Sequence, residues 1–245
     1  MRKNRFITAS ACACVTFAGA LATPTQGQEV EVTGWAKVDY FFDIPGTAVD
    51  DLLNSDAFWT DQPSETMSVY GINLPENYAD NYGTRTTGWV VVSESGQYDF
   101  FVSSDDASRL YLSSDENPPD PYFDLWIAEE TGCCNAFLEP GADGTLVTQT
   151  TAEPISLTAG RRYAFMFLQK EGTGGDYGRV AMRKVDDPTP AADLTPIGGE
   201  NLISMADISG ISLEITTQPQ NTQGVEGVTA TLKVPAVVTS APASQ

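Results

Sequence analysis

TGWVVVSESGQYDFFVSSDD, residues 87–106, holds two apolar runs, a Ser-Glu-Ser-Gly break between them and two adjacent aspartates at its end. The first run is Trp89 to Val92. In the second, Tyr98, Phe100 and Val102 alternate with Gln97, Asp99 and Phe101. Alternation of period two is the mark of a strand, and a short polar break between two such runs predicts a β-hairpin. Asp105 and Asp106 then fall where a strand gives way to a loop, just ahead of a further apolar run, RLYLSS.

The same texture continues on both sides. From Gly34 to about Val185 the chain is a series of short apolar runs separated by Gly, Asn, Asp and Pro clusters, which predicts an all-β, antiparallel β-sandwich or barrel. FDLWIAE, from Phe123 to Glu129, reads as another strand. In RRYAFMFLQK, Tyr163, Phe165 and Phe167 share one face and Ala164, Met166 and Leu168 the other. A strand apolar on both faces belongs in the middle of packed sheets. GTAVDDLLNSDAF is the one helical candidate, with Thr47 as cap and Val49, Leu52 and Leu53 on its apolar side.

The ends differ in composition. Arg2, Lys3 and Arg5 precede an apolar stretch from Ala9 to Leu21 and a small-residue site at Ala20 to Ala22, the three-part pattern of a secretory signal peptide. No later run approaches the roughly 20 apolar residues of a membrane span, so an exported, soluble protein is expected, free or at a cell surface. The expected division is 1–28 leader, 29–200 sandwich, 201–212 linker and 213–245 incomplete strands or tail. The linker follows DDPTPAADLTPIGGEN, a Pro- and Asp-rich stretch that reads as a linker or a closing strap.

Charge and cysteine narrow the function. The chain carries 33 Asp and Glu against 13 Lys and Arg, and cleavage of the leader removes three of those bases and no acid. Such a surface repels phosphate backbones and argues against nucleic acid, while it suits a hard cation. There is no histidine, which removes the usual general base and the commonest zinc ligand. Gly-x-Ser-x-Gly and phosphate-loop patterns are also missing, and two neighbouring aspartates are badly arranged to flank a glycosidic bond, so a non-enzyme is expected. Outside the leader only Cys133 and Cys134 remain. Adjacent Cα atoms lie about 3.8 Å apart, so an intramolecular bond means a vicinal, eight-membered ring. Two free thiols or bonds to another chain are the alternatives.

Three segments carry a family resemblance: VDYFFDIPGTAVDDLL (38–53), DNYGTRTTGWVVVSESGQYDFFVSSDDASRLYLS (80–113) and LTAGRRYAFMFLQKEGTGGDYGRVAMRK (157–184). In order and spacing they resemble the PA14 domain, a β-sandwich module of bacterial adhesins, toxins and glycosidases. The stretch ISLEITTQPQNTQGVEGVTATLKVPAVV (211–238) resembles the opening strands of a bacterial immunoglobulin-like domain, which implies further domains downstream.

The PA14 resemblance implies a role for the acid pair. In lectin-like members two consecutive aspartates joined by a cis peptide bind Ca²⁺, and the ion coordinates vicinal hydroxyls of a sugar; Asp105 and Asp106 match that pair. Ca²⁺ takes six to eight oxygen ligands, so a sugar diol can complete an open sphere. The family finishes the sphere from a later loop, for which KEGTGGDYG (170–178) is the candidate. Asp176 would add a carboxylate, and Gly172, Gly174 and Gly175 would turn carbonyls inward, although a hairpin turn would use the same glycines. Asp120, Tyr122 and Trp126 offer a rim for the sugar, Cys133 and Cys134 could stiffen it, and Arg109 reads as a structural partner for a nearby acid. The implied function is a secreted, calcium-dependent carbohydrate-binding module for adhesion or polysaccharide targeting. The alternative is a ligand-free spacer of a larger surface protein, in which the aspartates only cap a turn.

Overall fold

A computed structural model of the chain describes residues 29–142 and 149–207, and the backbone of two strands at Ile211–Ile215 and Ala236–Ser240. The leader expected over 1–28 lies outside the described residues. So does most of the expected immunoglobulin-like stretch, of which only the two strands, paired antiparallel, are described. Residues Glu29–Asp207 form one compact unit.

That unit is an antiparallel β-sandwich. Its strands are β1 Glu29–Thr33, β2 Trp35–Phe41, β3 Glu65–Tyr70, β4 Tyr82–Val91, β5 Gly96–Asp105, β6 Ser108–Leu112, β7 Ala128–Glu130, β8 Ile155–Leu157, β9 Arg162–Glu171, β10 Tyr177–Lys184 and β11 Leu202–Asp207. The larger sheet runs β1-β11-β4-β9-β6-β7, with β2 also pairing β4 and β3 pairing β2; the smaller runs β10-β5-β8. Between them Tyr82, Val90, Tyr98, Phe100, Val102, Leu110, Phe165 and Phe167 form the main core. Each such side chain contributes about 1.5–3 kcal/mol by leaving water.

The second face of β9 is covered differently from the sequence expectation. Met166 and Leu168 do not meet another sheet; they pack with Val49, Leu52, Leu53 and Phe58 from two short helices, α1 Val49–Leu53 and α2 Asp56–Trp59. Thr47 does not cap α1. The N-cap is Ala48, whose N–H donates to the Asp51 carboxylate at 3.0 Å, while Ser55 caps α2 by accepting from the Phe58 N–H.

Three further expectations are corrected. The runs 89–92 and 97–102 are not a hairpin, because β4 lies in the larger sheet and β5 in the smaller. Both point apolar residues into one core, so the Ser-Glu-Ser-Gly break carries the chain from sheet to sheet. The 170–178 segment likewise joins β9 of one sheet to β10 of the other. Residues Phe123–Ile127 precede β7 and form no strand: Asp124 closes a turn on Asp120, with its N–H on the Asp120 carbonyl at 2.8 Å. Finally, 202–207 is not linker. Leu202 and Ser204 are buried as β11 inserts between β1 and β4, so the Pro-rich stretch before it is the closing strap.

Candidate metal centre

The acid pair occupies the short crossing from β5 in the smaller sheet to β6 in the larger, and the peptide between Asp105 and Asp106 is cis. The strand end β9 meets that crossing along its length. Gln169 Nε2 donates to the Asp105 carbonyl at 2.8 Å, the Lys170 N–H to the Ala107 carbonyl at 2.9 Å, and the Asp106 N–H to Glu171 Oε2 at 3.1 Å. From below, the Ser104 hydroxyl donates to the Asp106 carbonyl at 2.7 Å and sits 2.8 Å from the Ser108 hydroxyl. Ser104 is fully buried, so Ser104→Ala should cost about 1–2 kcal/mol in urea unfolding, the loss of a buried hydrogen bond with its acceptor left behind.

Glu171 is the residue that sequence reading missed. One carboxylate oxygen each from Asp105, Asp106 and Glu171 lies within 4.8 Å of the others. Glu171 is fully buried, and its Oε1 has no hydrogen-bond partner among the described residues. Burial pushes its pKa up to about 7, with Asp106, Asp105 and Asp176 adding repulsion. Asp105 is also raised, first by burial and then by Asp106 and Asp176. Three clustered carboxylates and an orphaned buried oxygen make a hard, oxygen-only donor set, which fits Ca²⁺ better than a thiophilic metal.

The β9–β10 crossing closes one side. The Gly172 N–H donates to Asp106 Oδ2 at 3.0 Å. A Cβ at Gly172 would come within 2.8 Å of Thr47 Cγ2 and 3.3 Å of Asp106 Oδ2, so only glycine allows this approach. Gly175 passes near Asp105, where a Cβ would stand 3.8 Å from Oδ2. Gly174 reaches the other way, its N–H donating to Asp80 Oδ1 at 3.1 Å. Buried Lys170 ties the neighbouring loop down, its Nζ donating to the carbonyls of Gly46 at 2.6 Å and Glu171 at 2.5 Å. Burial lowers the pKa of this lysine.

The other residues singled out in the sequence are not all brought to this point. Asp176 is not one of the three clustered carboxylates, though it lies near enough to repel Asp105 and Glu171. Its Oδ2 accepts from the N–H groups of Tyr78 at 2.8 Å and Ala79 at 3.2 Å, which clamps the 76–80 loop, while its buried Oδ1, like Glu171 Oε1, has no hydrogen-bond partner among the described residues. Tyr122 packs edge-on to Trp59 and donates its hydroxyl to the Leu53 carbonyl at 2.7 Å. Trp126 stacks over Arg109, which also pairs with Asp50 and Glu129. These two rings therefore belong to the α1–α2 side of the molecule. Asp120 is engaged in its own turn, accepting from the Tyr122 N–H. Cys133 and Cys134 are joined in a vicinal disulfide beside the acid crossing. The Cys134 N–H donates to the Ser104 carbonyl at 3.0 Å, and its Sγ lies 3.5 Å from Asp105 Oδ2. A disulfide sulfur has no proton to give, so the latter is a contact only.

Comparison with known proteins matches residues 34–183 to the PA14 domain family. A mouse (Mus musculus) relative, N-acetyl-beta-glucosaminyl-glycoprotein 4-beta-N-acetylgalactosaminyltransferase 1, is 34% identical over 104 residues, 42% of this chain and 10% of that protein. The chain thus spans about a tenth of the length of that relative. Among solved structures, the PA14 sugar-binding domain of an RTX adhesin is 14% identical over 68% of this chain and 100% of that one, with a TM-score of 0.46. The epithelial adhesin 9 A domain of Candida glabrata, in complex with Galβ1-4GlcNAc, is 12% identical over 71% and 90% of the two chains, with a TM-score of 0.48.

Proposed function

The chain belongs to the PA14 domain family, and from that premise we propose that it is a secreted carbohydrate-binding module that engages glycans through a calcium ion held by Asp105, Asp106 and Glu171. The observation that carries this reading is the convergence of three carboxylates at the two sheet crossings, with the buried Glu171 Oε1 lacking a partner. A buried oxygen without a hydrogen bond is costly, and a cation at that point supplies what the fold withholds. A hard cation held by these three residues would leave positions open to vicinal hydroxyls of a sugar.

The chain's own residues do the rest. The hydrogen bonds from Gln169, Lys170 and Ser104 fix the crossing, so the carboxylates are aimed before a cation arrives. The Gly172 N–H holds one oxygen of Asp106 in place, which leaves the other free. Gly175, with no side chain, passes Asp105 without filling the space beside its Oδ2, and there a glycan would approach. The name of the mouse relative, an enzyme of glycoprotein glycans, is in keeping with this substrate class, and the stretch shared with it is read as recognition and not catalysis.

Calorimetric titration of calcium into chelator-treated protein tests the proposal. One site is expected. Since Glu171 must give up its proton to bind a cation, affinity should be flat above pH 7 and fall by up to tenfold per unit as pH drops below it. No heat of binding at pH 8 would refute the cation reading and leave the ligand-free spacer.

A further inference from the structure

Asp105 stands between two different donor sets. On one side are the oxygens of Asp106 and Glu171; on the other are the sulfurs of Cys133 and Cys134, and an Asp105 oxygen and both sulfurs also lie within 4.8 Å of one another. Both cysteines are exposed, so a small reductant can reach them. Their backbone is held at the end of β5 independently of the sulfur bond. Cys134 donates its N–H to the Ser104 carbonyl, and the next residue, Asn135, accepts from the Ser103 hydroxyl at 2.6 Å. The disulfide links neighbours in sequence, so opening it releases no distant segment of the fold.

We propose that reduction of the Cys133–Cys134 disulfide creates a second cation site, for a soft divalent ion of the zinc class, built from the two sulfurs and Asp105 and competing with the hard-cation site for that carboxylate. The soft site stands on the placement of Asp105 beside adjacent Cys133 and Cys134; only the competition rests on the calcium reading above. The redox step consumes two molecules of a thiol: the S–S bond breaks, two cysteine thiols form, and the reductant leaves as its own disulfide. Binding of the divalent ion then displaces both thiol protons, giving two thiolates and one carboxylate as ligands. Thiolates favour zinc, cadmium and copper(I) over calcium, whereas an all-oxygen set is suited to calcium. One residue, Asp105, thereby couples the oxidation state of the loop to the choice of cation.

The test uses the full chain carrying C12S/C14S, so that only Cys133 and Cys134 can respond. Untreated protein should show no titratable thiol, and protein reduced with dithiothreitol and desalted without oxygen should show two. Cadmium is the probe. The reduced protein should take up one Cd²⁺ with a thiolate charge-transfer band, at least 100-fold more tightly than the oxidised protein, and its calcium affinity should fall at least tenfold while cadmium is bound. A C133S/C134S variant should lose the band and keep its calcium response; E171Q should keep the band and lose calcium. Reduced protein that binds cadmium no better than C133S/C134S overturns the proposal, as does loss of the β-sheet circular dichroism on reduction or the presence of free thiols before it. A cadmium band in protein whose oxidised form ignores calcium would retain the soft site and discard the calcium reading.

Discussion

Glu171→Gln should make the calcium-free protein more stable while abolishing its response to calcium. Folding raises this carboxyl from an ordinary 4.5 to about 7. At pH 8 it is ionised in both states, and holding the charge inside the fold then costs roughly 3 kcal/mol. The sign follows from proton binding: between the two pKa values the folded state keeps a proton that the unfolded state has lost, so stability falls as pH rises through that window. Below about 4.5 both states are protonated and the cost vanishes. A glutamine has no charge to hold, and its carbonyl can still accept the Asp106 N–H that Oε2 accepts at 3.1 Å. Chelator-treated E171Q should therefore gain about 2–3 kcal/mol over wild type in urea unfolding at pH 8, and little at pH 4. Calcium should raise the stability of wild type alone. A variant less stable than wild type at pH 8 would mean that Glu171 serves the fold and not a cation.

The double substitution D105N/D106N should weaken calcium binding at least about 100-fold, or roughly 3 kcal/mol, since two of three charged ligands become neutral amides. The sandwich should stay folded. Neither side chain belongs to the core, and the contacts that fix the crossing use the main-chain carbonyls of Asp105, Asp106 and Ala107. Far-ultraviolet circular dichroism and calcium titration of the same sample separate the two effects. Undiminished calcium binding by the folded variant would place the cation elsewhere.

The sandwich could be read from the sequence because period-two runs such as Tyr98, Phe100 and Val102 report burial on one face. Which sheet a run joins is not written in that period. A hairpin and a crossing both place two alternating runs around a short polar break, so 87–104 reads as a turn within one sheet while in fact it passes between sheets, as does 170–178, whose glycines suited a ligand loop and a hairpin alike. The same blindness hid Glu171. Its neighbours in sequence are a strand and a glycine turn, and its partners lie 65 residues away across a sheet crossing. A signal was present: Gln169, Lys170 and Glu171 are a polar run at the end of an otherwise apolar strand, and polar residues that stay buried need partners. Asp176 was conspicuous for the opposite reason, a carboxylate in a glycine-rich loop; one of its oxygens is occupied by the Tyr78 and Ala79 N–H groups and the other is buried without a hydrogen bond among the described residues. Tyr122 and Trp126 read as a rim for the sugar, whereas the Asp120–Asp124 turn directs them to Trp59 and Arg109.

Glycan-array binding of the whole chain, in calcium and again in excess chelator, bears most directly on the claim that a calcium ion joins this fold to sugar. The account predicts binding to a restricted set of glycans with exposed vicinal hydroxyls, lost in chelator and restored by added calcium. Binding that survives chelation, or folded protein that binds no glycan in either condition, would contradict it.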